Sequence, residues 1–401
     1  MLVSSSVTSP KTRWATCAAA SSVLLLAAAC GGSTDAQTPS GDAGAKPLTI
    51  GFVASLKGED ATGQDGPYQA AMVAVDEINA AGGVNGQPIK TVRVPSPTDP
   101  ANLTAQLIKI GEQKPDIIVG ASPPSLAAIS RQVDTLATPI VGTTSYESIN
   151  GMAAGSKWVF QMLPSDANTV GAAARYTVEG LNAKKVAVLH TNESFGTKGS
   201  KELGSVIPAL GGTVVTDQAF GPTATDLTGP LLAAKSADAQ AIVSWSFPGP
   251  QAAAVNALAN QGASTPTVGN ASISSSVTNG VIKNPAAFDK VYSTLPCNVD
   301  DARPNALKFV AAYKAKYKDA VNYSAALYYD AVKLAVTAAK KAPSLDKSKL
   351  REALEGLDYK DGACSAQYKS DKTHILTHEA TIVGFGPDAK PITKKTYTFD
   401  S

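Results

Sequence analysis

Short apolar runs alternate along this chain with stretches in which apolar residues return every three or four positions, a pattern that predicts strands and helices in turn. Leu48 to Ala54 is an apolar run with β-branched and aromatic members, and Tyr68, Ala71, Met72, Val75 and Ile78 follow at helical spacing before Gly82-Gly83. That reads as strand, loop, helix and cap. Thr91 to Val94, Asp116 to Gly120 and Pro139 to Val141 read as short buried strands, separated by helices over 101–113 and 125–137. A second series starts after Pro164. It predicts a helix over 167–180, strand Val186 to His190, a helix carrying Leu203, Val206, Ile207 and Leu210, and strand Thr213 to Thr216. A short helix over 227–234, strand Ala241 to Trp245, a helix to Gln261 and strand Thr267-Val268 complete it. Two βα series of similar length imply an α/β fold of two doubly wound, Rossmann-like lobes, each a parallel sheet covered on both faces. The last third reads as helices Pro304 to Tyr317, Tyr323 to Lys340 and Lys347 to Gly356, then strand-like pieces at Ser365 to Tyr368 and Glu379 to Phe385.

The first residues carry a different pattern. Lys11 and Arg13 supply a positive start, Ala18 to Ala29 an apolar run too short to span a bilayer, and Ala27-Ala28-Ala29-Cys30 its end. Small residues before a cysteine resemble the lipobox of bacterial lipoproteins, which implies a signal peptide over 1–29 and lipidation of Cys30. The alternative is an ordinary cleavable signal peptide with an incidental Cys30. Residues 30–46, rich in Gly, Ser, Thr, Ala and Asp, read as a flexible tether.

Composition narrows the function. The 401 residues include 44% hydrophobic and only 17% charged, with a formal charge of +2. No basic stripe is left to neutralise phosphates, so no nucleic-acid partner is expected. Three histidines and four cysteines oppose dense metal ligation, and no cofactor is expected. Export leaves Cys297 and Cys364 as the thiols of the folded part in an oxidising place, where they are expected to pair. Two buried free thiols are the alternative. Closing the chain between residues 297 and 364 would stabilise it by about 4 kcal/mol in the chain-entropy model.

Catalytic motifs are missing: there is no GxxxxGK[ST], no GxGxxG after the first strand, no HExxH and no GxSxG. His374 and His378 lie four apart in an alternating region and read as solvated surface. His190 ends a buried strand, where it either lines a cleft or is a satisfied structural residue. Two loops at strand carboxyl ends are richer in hydrogen-bonding groups. Ala121-Ser122-Pro123-Pro124-Ser125 opens a helix, and Gly142-Thr143-Thr144-Ser145-Tyr146 follows the next strand. Converging, they suit a carboxylate or another acceptor-rich group. Taken singly, each is a helix cap or a turn.

Ile50-Gly51-Phe52, Gly58, Gly63-Gln64-Asp65 and the stretch from Val75 to Ile89 resemble the opening of leucine/isoleucine/valine-binding-protein-like solute receptors. Asp99-Pro100, Lys114 to Gly120, Pro139-Ile140-Val141, Phe195-Gly196 and Tyr329-Asp330-Ala331-Val332 extend the likeness over the chain from 47 onward. The resemblance implies the type 1 periplasmic-binding fold, two lobes joined by three crossovers that close on a ligand. It places crossovers near Pro164, Leu295 and Gly362, giving one lobe of 47–164 plus 296–361 and another of 165–295 plus 362–401. Cys297 and Cys364 then lie beside two crossovers, where their pairing would staple the hinge. Ser122, Ser125, Thr143, Thr144, Ser145 and Tyr146 match loops that hold the ligand's charged end. Phe195 replaces a stacking Tyr, Trp245 and Phe247 match an aromatic loop, and Asn270 falls in the ligand loop after the strand at 267.

That loop departs from the amino-acid receptors, which place an acid against the ligand ammonium where this chain reads Gly269-Asn270-Ala271. An ammonium buried without a carboxylate is costly; Glu147, Glu193 and Asp166 are the nearest substitutes. Thr62 likewise stands where those receptors carry an aromatic. The expectation is a non-enzymatic, monomeric receptor, lipid-anchored on the extracytoplasmic face of the cell membrane. It would pass a small polar solute, a branched-chain amino acid or related carboxylate or amide, to an ABC permease. A sensor of the same fold and an extracellular hydrolase are the other readings; the hydrolase lacks a nucleophile with an evident His partner.

Overall fold

The computed structural model describes residues 46–54, 66–95, 100–121, 126–127, 130–143, 148–149, 152–262, 264–282, 284–318, 321–377 and 379–399. The signal segment with Cys30, and Ser122, Ser125, Thr144, Ser145, Tyr146, Glu147 and His378, lie outside them.

The first series forms β1 (Thr49–Ala54), α1 (Gly66–Ala80), β2 (Lys90–Pro95), α2 (Pro100–Glu112), β3 (Ile117–Gly120), α3 (Ser130–Leu136) and β4 (Ile140–Gly142). A small hairpin, β5 (Ser148–Ile149) and β6 (Met152–Ala153), precedes β7 (Val159–Gln161). Among the described residues these make a five-stranded sheet ordered β2-β1-β3-β4-β7, parallel throughout. Side chains alternate across it because successive residues of a strand face opposite sides. Ile117 and Val119 enter one core with Val141 and Phe160, while Ile118, Ile140 and Val159 enter the other. Gly120 ends β3 at φ +95°, and a Cβ there would stand 2.1 Å from the Val53 carbonyl oxygen, so the turn needs glycine.

The second series contains α4 (Asp166–Arg175), β8 (Lys185–Thr191), α5 (Ser194–Ala209), β9 (Thr213–Phe220), α6 (Thr228–Ser236) and β10 (Ala241–Trp245). It continues with α7 (Pro248–Asn260), β11 (Thr267–Gly269), α8 (Ala271–Thr278) and β12 (Val291–Leu295). The helix expected over 167–180 ends in a π-helical turn, Tyr176–Gly180. Val186 and Val188 face the core under α4 and α5, and Ala187 and Leu189 face the core under α6 and α7.

Helices α9 (Pro304–Lys316), α10 (Tyr323–Lys341) and α11 (Lys347–Glu355) return to the first sheet; Phe309, Tyr313, Leu334 and Leu350 share its core with Ile50 and Phe52. The chain then forms β13 (Asp358–Lys360), β14 (Gln367–Lys369), β15 (Glu379–Phe385) and β16 (Pro391–Thr398). The second sheet is ordered β16-β15-β12-β11-β10-β8-β9, with β15 and β16 antiparallel. Two wholly parallel sheets are therefore corrected to one parallel and one mixed. The tail after the last helix has no further crossover helix to carry it round, so it can join an edge only as a hairpin.

Two expectations change with packing. Ala363, Cys364, Tyr368 and Leu376 pack in the first core, so the residues expected to leave the first half near Gly362 stay with it as far as Leu376, and β15 joins the second sheet. Segment 373–376 pairs along β7, with Gln161 N donating to the His374 carbonyl at 2.8 Å and Leu376 N to the Gln161 carbonyl at 2.7 Å. His374 is accordingly buried at 3% exposure, its ring stacked 4.3 Å from Phe160, and is not solvated surface. Burial outweighs the nearby Glu355 carboxylate and lowers its pKa.

Cys297 and Cys364 form a disulfide, with Cα atoms 5.2 Å apart. Both sit in the first core, so the bridge holds the segment after β12 to the turn at 362–364 within one half of the molecule.

Candidate ligand-binding site

In both sheets the strand order reverses beside the first strand of its series, β1 and β8, and such switch points open a crevice at the strand carboxyl ends. A cleft of about 190 Å³ lies at those ends of the second sheet. Phe195 and Trp245 form its apolar wall, Asn270 to Ser272 its edge, and Pro164 and Asp166 of the first crossover close it on another side. A larger opening of about 1100 Å³ is lined by Glu355, Lys369, Asp371, Lys372 and Glu379. It contains none of the residues that follow β8, β10 or β11, and its mixed charges are partly or fully exposed, so the smaller cleft is the candidate site.

Each wall residue is set by its local structure. Phe195 sits in the first turn of α5, whose N-terminus is capped by Glu193. The Glu193 carboxylate accepts from Phe195 N at 2.6 Å, Gly196 N at 2.9 Å and Thr191 Oγ1 at 2.6 Å. Burial pushes its pKa up, but these three hydrogen bonds outweigh burial and hold it below the ordinary value. Glu193 is thus committed to the helix cap and is not a free counter-charge for a ligand. Trp245 ends β10 at 3% exposure, its ring 6.1 Å from that of Phe195. Phe247 stacks on Phe195 at 5.9 Å but is 40% exposed and does not line the cleft; it backs the wall.

Asn270 caps α8: its Oδ1 accepts from Ser272 N at 3.0 Å, and its Nδ2 donates to the Ser246 carbonyl at 3.0 Å. One amide thereby ties the loop after β11, which bounds the cleft, to the segment directly after Trp245. Ala271 lies in the lining and presents a methyl group there in place of an acid. Asp166 is the carboxylate that the described lining contains.

Thr143 follows β4 at the carboxyl edge of the first sheet, 7% exposed, and its side chain hydrogen-bonds the Tyr328 hydroxyl. Burial raises the Tyr328 pKa, and that hydroxyl donates to the Val53 carbonyl at 3.2 Å. Thr143 is therefore tied into the first core and does not line the described cleft. His190 takes its structural reading, with Nδ1 2.9 Å from the Thr191 carbonyl and Nε2 3.3 Å from Asp217.

Tyr323 is a cleft residue that no local sequence feature marks. It opens α10 behind its cap Asn322, lines the cleft, and packs against a core of each sheet. An aromatic in a first helical turn reads as ordinary core, and only packing against both halves brings it to the cleft. Among the described residues, no group of three or more His, Cys, Asp or Glu is placed to hold a metal ion. No described helix is long and apolar enough to cross a membrane.

A family model described as periplasmic binding protein matches residues 47–390. A leucine-, isoleucine-, valine-, threonine-, and alanine-binding protein of Pseudomonas aeruginosa is 22% identical over 342 residues, covering 85% of this chain and 91% of the relative. An amino acid binding protein of the same organism is 29% identical over 150 residues, which span 37% of this chain and 40% of that relative. The crystal structure of the branched-chain amino acid transporter substrate binding protein LivJ from Streptococcus pneumoniae, in complex with isoleucine, superposes with a TM-score of 0.73. It is 24% identical, over 88% of this chain and 99% of that one, a likeness that shows the fold.

Proposed function

The chain belongs to the periplasmic binding protein family as a leucine/isoleucine/valine-binding-protein-like, type 1 member, and from that premise we propose that it captures a small polar organic solute outside the cytoplasm and delivers it to an ABC permease. The observation that carries this reading is the cleft between Phe195, Trp245 and the first crossover, at the carboxyl ends of a doubly wound sheet. In this reading one lobe comprises 47–164 with 296–376, and the other 165–295 with 379–401. They close on the solute, and differential affinity for the closed state is the recognition event. Cys30 carries the lipid that holds the protein, as a monomer, on the extracytoplasmic face of the cell membrane.

The ligand contacts are Phe195 and Trp245 with Asn270 at the edge and Phe247 behind the wall. Ser122, Ser125, Thr144, Ser145 and Tyr146 take the carboxylate or amide end, and Thr143, tied to Tyr328, anchors the start of their loop. The relatives' amino acids make branched-chain amino acids the first compounds to test, and the absence of an acid at Ala271 adds carboxylates and amides without an ammonium. A thermal-shift screen of both groups is the test, since a ligand that binds only the folded state raises its midpoint.

Phe195→Ala and Trp245→Ala are each expected to weaken binding of the best stabilising compound by about 10- to 100-fold, the loss for removing a buried ring from its contact. Calorimetric titration measures it, and unchanged affinity in both variants would remove the wall from the site. Ala271→Glu is expected to create or strengthen binding of L-leucine while weakening that of 4-methylpentanoate, the same skeleton without the ammonium. Equal response of the two compounds would count against a missing counter-charge.

A further inference from the structure

Gly199 lies one helical turn beyond Phe195 on α5 and is buried. A Cβ at this position would stand 2.1 Å from Trp245 Cδ1, 2.6 Å from Cγ and 2.7 Å from Nε1. Atoms do not approach so closely, so the five-membered edge of the indole rests directly on the helix backbone. On its core side the ring belongs to a cluster with Leu203 and Val243, both fully buried. Its other side is open: Trp245 lines the 190 Å³ cleft and also a neighbouring cavity of about 30 Å³.

We propose that Gly199 is a positioning residue that sets the size of the apolar group the cleft admits. Because it carries no side chain, the Trp245 indole recesses against α5, and the volume left free is the volume a ligand's apolar group fills. The inference rests on the cleft being the ligand site. A methyl group added at 199 can move the indole in one direction, since the core side is close-packed and the cleft side is not. Displacement by a methyl's width takes room from the part of the cleft beside Phe195 and Trp245 and leaves its Asn270 edge in place. Large apolar groups are therefore penalised and small ones spared.

Two measurements test this on the full chain. In a Trp14→Phe/Trp158→Phe background Trp245 is the remaining tryptophan of the three, so acrylamide quenching reports its exposure without any ligand. Adding Gly199→Ala is expected to raise the quenching constant by about twofold as the indole leaves its recess. Calorimetry with L-alanine, L-leucine, L-phenylalanine and benzoate then reads size preference. Gly199→Ala should cost the largest probe that binds at least about tenfold more affinity than the smallest. Trp245→Phe added to Gly199→Ala makes room for the methyl and should return the wild-type size preference and melting temperature.

An unchanged quenching constant in the folded variant overturns the proposal, as does an equal loss for small and large probes. Should Gly199→Ala fail to fold, a double variant equally unable to fold overturns it, and one that refolds supports it. If quenching rises while none of the four probes binds the wild type, the recess is upheld and the choice of ligand class is what fails.

Discussion

Asp330→Ala is expected to cost about 3–5 kcal/mol of stability near pH 4, the loss that follows when one member of a buried, hydrogen-bonded network is removed. Asp330 lies in α10 at 0% exposure and accepts from Ala363 N, Cys364 N and the Tyr368 hydroxyl, each at 2.8 Å. Arg303 clamps the same turn from its carbonyl side, donating to Ala363 at 3.1 Å and to Cys364 at 2.7 Å. Alanine would strand three buried donors. The signature in pH has a fixed sign. Burial pushes the Asp330 pKa up from 3.8 to about 6, against the opposing hydrogen bonds and the Arg303 charge. Between those values the folded chain holds a proton that the unfolded chain releases. Asp330's contribution is thus full below about pH 4 and is lost as pH rises through about 6, a change on the order of 3 kcal/mol. Urea midpoints of wild type and variant across pH 4–7 should converge as pH rises. Curves that diverge would mean the three donors hold the anion more firmly than burial opposes it.

Removing the Cys297–Cys364 disulfide is expected to cost about 4 kcal/mol, the loop-closure entropy returned to the unfolded chain. The residues are separated by 67 positions, and the loop between them contains α9, α10 and α11, the helices that return to the first sheet. Neither cysteine lines the cleft, so affinity should change little when both are replaced by alanine. Denaturation with and without reductant measures the first effect and calorimetry the second. A variant of wild-type stability and weakened affinity would reverse the assignment, making the bridge a device of lobe closure. Since both cysteines belong to the first core, the expected outcome is the structural one.

The alternating elements were legible because strands buried on both faces read as continuous apolar runs and amphipathic helices repeat at 3.6 residues. Ile117–Gly120 and Ala241–Trp245 lie where their patterns place them. β7, β12 and β16 carry no strand pattern legible in the sequence, for different reasons. Val159–Gln161 is too short for a periodicity, and Pro391–Thr398 is an exposed, lysine-bearing edge whose partner comes from tertiary pairing. Val291–Leu295 ends where the family resemblance implies a crossover, which masks it as a strand.

Phe195, Trp245 and Asn270 could be singled out from sequence because strand carboxyl ends are local features and the family resemblance marks the loops that follow them. What a residue's side chain is committed to is a different matter, since that depends on neighbours distant in the chain. Glu193 became a helix cap, His374 a buried stacking partner of Phe160, and Tyr323 a cleft residue touching both halves. Sequence alone determined the α/β alternation and the strand ends where a ligand site would lie, because periodicity and turn chemistry act over a few residues. Only the tertiary structure decided which side chains remain available there, because burial and hydrogen-bond partners are assigned when separate segments meet.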